Sequence, residues 1–297
     1  MPHLDASRIS DTPLSSALVA HPPSDQLYAD VPVYESLVRF RTERKVRGLR
    51  VDDDVWRYVS FGSGERTLVF LHGMAGAHDV WWQQLEAFAD RFRVVSFTYP
   101  AVPTLAGLRR GIMGVLDAEE VGHFSVIGSS LGGYLAQYLV SADDGRIDRA
   151  VFGNTFPPND LIEARNRRTA AIGGLLPERV VMYGFRRNVA TSVVPAAGGS
   201  ALVRAYLFEQ SYGQMSKAQF LARYRCVVDP FDPVEPSVPH LIIESDNDPL
   251  VPRELREMLR RTYPEAAVHT FHRTGHFTYL NEPVEYTAVL AGFLQGA

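Results

Sequence analysis

Cysteine is nearly absent. Cys226 is the only one in 297 residues, which excludes an intrachain disulfide and a thiolate metal cluster. One lone thiol suits a reducing compartment, so a cytoplasmic location is the expectation. A surplus of one charge is missing as well: 30 Lys+Arg against 34 Asp+Glu leave a formal net charge of −4. Nothing in that balance holds a phosphate backbone, and no nucleic-acid partner is expected. The first 30 residues lack a basic n-region, and their best apolar run, Ala17-Leu18-Val19-Ala20, is too short for a signal segment or a membrane span. Internal repeats are missing too. What is present is 46% hydrophobic and 11% aromatic residues with 22% charged, a globular chain able to bury a large core.

Residues 1–35 are rich in Ser, Pro and Asp without periodicity and read as a mobile N-terminal extension, with Val33, Tyr34 and Leu37 available to dock. Strand-like runs follow at Trp56 to Phe61 and Thr67 to Leu71, so two strands are expected before His72-Gly73. Further strands, at Phe92 to Phe97, Phe124 to Gly128, Ala150 to Phe152, a segment from Pro239 and Val268 to Phe271, alternate with helical stretches. That alternation is the signature of an α/β protein with a doubly wound, mostly parallel sheet. Residues 156–235 interrupt it with helix-like segments and are the expected cap, leaving 36–155 and 236–297 as the core.

The segment Gly128-Ser129-Ser130-Leu131-Gly132-Gly133 lies directly between a strand and a helix and matches Gly-x-Ser-x-Gly centred on Ser130. A serine on so sharp a turn takes strained backbone angles, and glycines two before and two after remove side chains that would collide across it. Ser129 lacks those glycines. The Leu131 N–H at the helix start is one expected oxyanion donor, and the Met74 N–H, in the turn His72-Gly73-Met74-Ala75-Gly76, is the other. His72 reads as a residue that packs and holds this loop rather than as a base.

The buried strand Leu241 to Ser245 leads into Asp246-Asn247-Asp248-Pro249, which offers a carboxylate at the same sheet edge. Asp248 is the expected acid, with Asp246 as the fallback and an Asp-rich helix cap as the alternative. His276, in Thr274-Gly275-His276-Phe277, is the expected base, while His269 and His272 fall in the strand pattern and read as structural. The chain order Ser130, Asp248, His276 is that of α/β-hydrolases.

From about Val46 to Leu294 the chain resembles the α/β-hydrolase superfamily, and more closely maspardin-type proteins. The closer likeness rests on Val51-Asp52-Asp53-Asp54, Tyr99-Pro100, the block from Ser129 to Gln137, Asn154-Thr155-Phe156 and Tyr263-Pro264-Glu265-Ala266. The resemblance implies an α/β-hydrolase fold with a helical cap insertion. A complete Ser-Asp-His set and a His-Gly loop depart from the maspardin pattern, so the binding role of those proteins is not carried over.

The expected activity is that of a serine hydrolase acting on a carboxylic ester, thioester or lactone of a small molecule through an acyl-enzyme, with carbon–carbon bond hydrolysis open to the same machinery. No metal or organic cofactor is implied. Haloalkane dehalogenation does not fit, since its nucleophile at the elbow would be aspartate. The alternatives are a non-catalytic interaction protein and a biosynthetic acyl transferase or cyclase. Tyr99 and the cap residues Tyr183, Tyr206 and Tyr212 are candidates to bind substrate, against the alternative that they pack cap to core.

Overall fold

Eight strands form one sheet: β1 (Arg47–Val51), β2 (Asp54–Phe61), β3 (Thr67–Leu71), β4 (Arg93–Thr98), β5 (Phe124–Ser129), β6 (Ile147–Gly153), β7 (His240–Ser245) and β8 (Ala267–Phe271). Their order is β1-β2-β4-β3-β5-β6-β7-β8; β1 pairs antiparallel with β2 and β2 with β4, and all later pairs are parallel. The computed structural model describes residues 24–142 and 145–295. Among the described residues no helix is long and apolar enough to cross a membrane.

The parallel strands read as unbroken apolar runs because helices cover both faces. In β3, Leu68 and Phe70 enter one core cluster and Val69 and Leu71 the other, the period of two that a strand imposes. On the first face Leu85 and Phe88 of the helix Trp82–Phe88 meet Tyr286, Leu290 and Leu294 of Pro283–Gln295. The second face is covered by Leu105–Ala118, Leu131–Ser141 and Arg253–Thr262. The fold is therefore the expected doubly wound α/β architecture.

Two expectations change. Three strands, not two, precede His72-Gly73, because β1 pairs with β2 through a tight turn in which Asp52 takes φ 53°. β1 buries only Leu49 and Val51 of its five residues, so as an edge strand it carries little apolar signal. Residues 24–35 are not a mobile arm: Tyr28 and Val31 are buried, and the following helix Tyr34–Glu43 buries Leu37 and Phe40. Each such side chain contributes roughly 1.5–3 kcal/mol. Residues 1–23 of the expected extension lie outside the described residues.

The segment 156–235 carries the helices Asp160–Gly173, Glu178–Asn188, Val194–Ala196, Ala201–Glu209 and Lys217–Cys226, with π-helical turns at Val189–Val193 and Gln210–Gln214. An ionic cluster ties it to the N-terminal helix and the core. Arg41 donates from Nε to Asp79 at 2.7 Å and from Nη1 and Nη2 to Glu209 at 2.9 and 2.7 Å, while Tyr206 and Tyr28 donate to Asp79 and Glu209 at 2.6 and 2.8 Å. Burial works to raise the Asp79 carboxyl, but Arg41, His78 and the Tyr206 hydroxyl outweigh it and hold the pKa below the usual value.

Candidate active site

At the carboxyl end of β5 the chain turns abruptly, and Ser130 stands on the turn with φ 58° and ψ −122° before Leu131–Ser141 begins. A non-glycine residue in that region is strained. The strain is held by the Ser130 N–H donating to Gly153 O at 2.9 Å and by the Ser130 carbonyl accepting from Tyr134 N–H and Thr155 Oγ1. A Cβ at position 128 would come within 2.0 Å of Gly132 O, and one at 132 within 2.0 Å of Leu71 O, so both must be glycine. Ser130 is half-buried. The N–H of Leu131, first in its helix, has no acceptor within that helix.

The loop after β3 approaches from the other side. A Cβ on Gly73 would lie 3.0 Å from Ser130 Cβ and 3.5 Å from its Oγ, so the backbone of this loop abuts the serine. The carbonyl of Gly73 accepts from His72 Nδ1 at 2.6 Å and from Gly76 N–H at 3.1 Å. The peptide is planar and trans, so pinning that carbonyl points the Met74 N–H the opposite way. His72 Nε2 accepts from Tyr99 N–H at 3.4 Å, and its ring stacks on Tyr99 with centroids 3.8 Å apart. These partners fix the tautomer with the proton on Nδ1. Burial, then the nearby Arg223 charge, push the His72 pKa well below its ordinary value. It is a neutral strut for the loop.

At the end of β7, Asp248 is buried and all its oxygen positions are used. Oδ1 accepts from Leu250 N–H at 2.8 Å and Val251 N–H at 3.1 Å; Oδ2 accepts from His276 Nδ1 at 2.8 Å and Asn154 Nδ2 at 3.0 Å. An acceptor-only carboxylate opposite Nδ1 puts the imidazole proton there and leaves Nε2 as the basic nitrogen. His276 is 2% exposed. The fallback carboxylate goes elsewhere: Asp246 accepts from His272 Nδ1 at 2.9 Å on the exposed side of the turn. His269 sits by Glu285.

Two residues of this site are not singled out as functional in the sequence. Asn154, which follows β6 with φ 41°, holds Asp248 through Nδ2 while its Oδ1 accepts from Thr278 Oγ1 at 2.9 Å. Asn247 accepts from Gly275 N–H at 2.9 Å and donates to Ala196 O at 2.8 Å, joining the turn after β7, the loop of His276 and the segment 156–235. The only sequence signal was an asparagine at each strand end, where the residue type tolerates positive φ.

Of the four tyrosines expected to bind substrate, Tyr99 is fully buried with its ring on His72, and Tyr206 spends its hydroxyl on Asp79. Tyr183 is 61% exposed, and Tyr212 lies beneath Arg186, 4.5 Å from its guanidinium carbon to the ring centroid. Packing and the ionic cluster claim Tyr99 and Tyr206, and solvent claims Tyr183. Among the described residues no group of three or more His, Cys, Asp or Glu is arranged to hold a metal ion.

Residues 68–289 match the model of the alpha/beta hydrolase family. Maspardin of Danio rerio is 25% identical over 258 residues, 83% of this chain and 81% of the relative. The 2-hydroxymuconate semialdehyde hydrolase of Pseudomonas sp. (strain CF600) is 26% identical over 255 residues, 77% of this chain and 87% of that enzyme. Among solved structures, a hydrolase from Pseudomonas aeruginosa PA01 superposes with a TM-score of 0.71 at 22% identity, covering 85% of this chain and 99% of its own. The chain therefore belongs to the alpha/beta hydrolase family and is a hydrolase by that membership.

Proposed function

We propose that this hydrolase works by acyl transfer from Ser130, with His276 as general base and acid, Asp248 as its orienting carboxylate, and the Met74 and Leu131 N–H groups as the oxyanion hole. Ser130 Oγ adds to a carbonyl carbon as His276 Nε2 takes its proton, and the electron pair displaced onto the carbonyl oxygen is met by the two N–H groups. Collapse of that intermediate returns the proton to the leaving group. Water, deprotonated by the same nitrogen, then releases the acid and frees the serine.

The observation that carries this reading is the buried 2.8 Å bond from His276 Nδ1 to Asp248, because it occupies Nδ1 and leaves Nε2 as the free ring nitrogen at the sheet edge that also carries Ser130. Removing one oxyanion donor from such a site typically costs roughly 10²- to 10³-fold in rate. The substrate class is a carboxylic ester, thioester or lactone of a small molecule, selected by the cap. The semialdehyde hydrolase relative supports a second reading, hydrolysis of a carbon–carbon bond next to a ketone, in which the leaving group is a carbanion that His276 protonates. A cytoplasmic location, supported by Cys226 being the single cysteine, completes the reading.

A panel of p-nitrophenyl esters, acyl thioesters, lactones and vinylogous 1,5-diketones, with products identified by mass, tests it. Turnover of at least one class that disappears in Ser130→Ala is expected. Turnover equal in wild type and Ser130→Ala would remove the serine from the reaction.

A further inference from the structure

The cap helix Lys217–Cys226 buries an arginine that has no counter-ion among the described residues. Arg223 is 1% exposed, and among the described residues its hydrogen-bond partners are three main-chain carbonyls and a thioether, with the Tyr99 ring centroid 5.8 Å from its guanidinium carbon. Nη1 donates to Met74 O at 2.7 Å and Gly76 O at 3.1 Å and lies 3.3 Å from Met215 Sδ; Nη2 donates to Tyr99 O at 3.2 Å; Nε is buried without a partner. Burial lowers its pKa to about 10, which still leaves it charged at neutral pH. A buried, unpaired cation is costly, and a neutral side chain of similar volume would fill the same space without that cost.

Its contacts fall on the loop that carries the Met74 N–H. The peptide before Met74 is held by its Gly73 carbonyl, through His72 and Gly76 N–H; the peptide after it is held by its Met74 carbonyl, through Arg223. With both flanking peptide planes fixed, the two soft dihedrals of Met74 have no freedom left and its N–H has one direction. The anchor on the far side comes from the cap, whereas the one on the near side is part of the core.

We propose that Arg223 is a positioning residue for the oxyanion hole, so that docking of the cap sets the donor geometry at Ser130. This rests on the acyl-transfer reading above. Its uncompensated charge adds to the effect, since in a site poor in water a fixed cation beside the loop favours a developing oxyanion over a neutral carbonyl. The consequence is selective: the transition state loses more than the bound ester when Arg223 is removed.

The test compares wild type, Arg223→Met and Arg223→Lys with an ester that the wild type turns over, each preparation titrated with a fluorophosphonate so that kcat is expressed per reactive serine. Inhibition by a trifluoromethyl ketone, whose adduct bears an oxyanion, is measured alongside. Arg223→Met is expected to lower kcat by about 10²-fold, to weaken the trifluoromethyl ketone by a similar factor, and to leave KM within about threefold. Arg223→Lys, which keeps charge but reaches fewer carbonyls, should fall between the two, and it carries the test by itself if the methionine variant does not fold. A wild-type kcat per reactive serine in both variants, or in the lysine variant alone where only it folds, with unchanged ketone affinity and only a lower melting temperature, would overturn the inference and leave the acyl-transfer reading standing. A wild type that neither labels nor turns over any ester would overturn both.

Discussion

Replacing Asp248 by asparagine exchanges one oxygen for an NH2 group in a site where every contact is a donor. In the native arrangement Oδ1 takes two backbone N–H groups, and Oδ2 takes His276 Nδ1–H and Asn154 Nδ2–H. If the new amide keeps its oxygen on Leu250 and Val251, its NH2 faces two donors. If it turns over, the NH2 faces the two backbone N–H groups instead. Asn154 can escape by flipping, because Thr278 Oγ1 can accept as well as donate. His276 escapes only by moving its proton to Nε2, which removes the base. The expected loss in kcat is about 10⁴-fold, equivalent to roughly 5.5 kcal/mol of barrier at 1.36 kcal/mol per decade. Stopped-flow hydrolysis of an activated ester, with circular dichroism to show an intact fold, measures it. A folded Asp248→Asn variant within tenfold of wild type, or a larger loss from Asp246→Asn, would refute the reasoning.

Gly132→Ala should lose activity and about 1–3 kcal/mol of stability, because its methyl would sit 2.0 Å from Leu71 O; urea unfolding checks the second figure. Arg41→Met should cost about 3–5 kcal/mol by leaving Asp79 and Glu209 as uncompensated carboxylates against the helix Tyr34–Glu43, and limited proteolysis should then cut that helix first. His72 is held neutral by burial and by Arg223, so below the unfolded-state pKa of about 6.5 the unfolded chain takes up a proton that the native state refuses. Stability should therefore fall as pH drops below about 6.5; in His72→Asn the fall, read from urea midpoints between pH 5 and 7.5, should be shallower.

What could be read in advance follows the range of the forces involved. Ser130 was legible because its constraint is local: the glycines at 128 and 132 answer collisions inside one turn. Asp248 and His276 were legible because each sits in a loop after a recognisable strand. Asn154 was not, since its partner is 94 residues away and the two meet only because β6 lies beside β7. Arg223 carries no local signal in the sequence, since the Met74 carbonyl it holds is 149 residues away. The tyrosines were ambiguous for a related reason. An aromatic on a cap helix looks the same in sequence whether it faces a pocket, solvent as Tyr183 does, or a buried carboxylate as Tyr206 does.

The central claim, that the geometry around Ser130 activates it as a nucleophile, is tested most directly by intact-protein mass after reaction with a fluorophosphonate. Wild type should gain one adduct per chain at Ser130, while Ser130→Ala gains none and His276→Ala reacts slower by orders of magnitude. Wild-type protein that stays unlabelled, or a His276→Ala variant that labels as fast as wild type, would contradict the account.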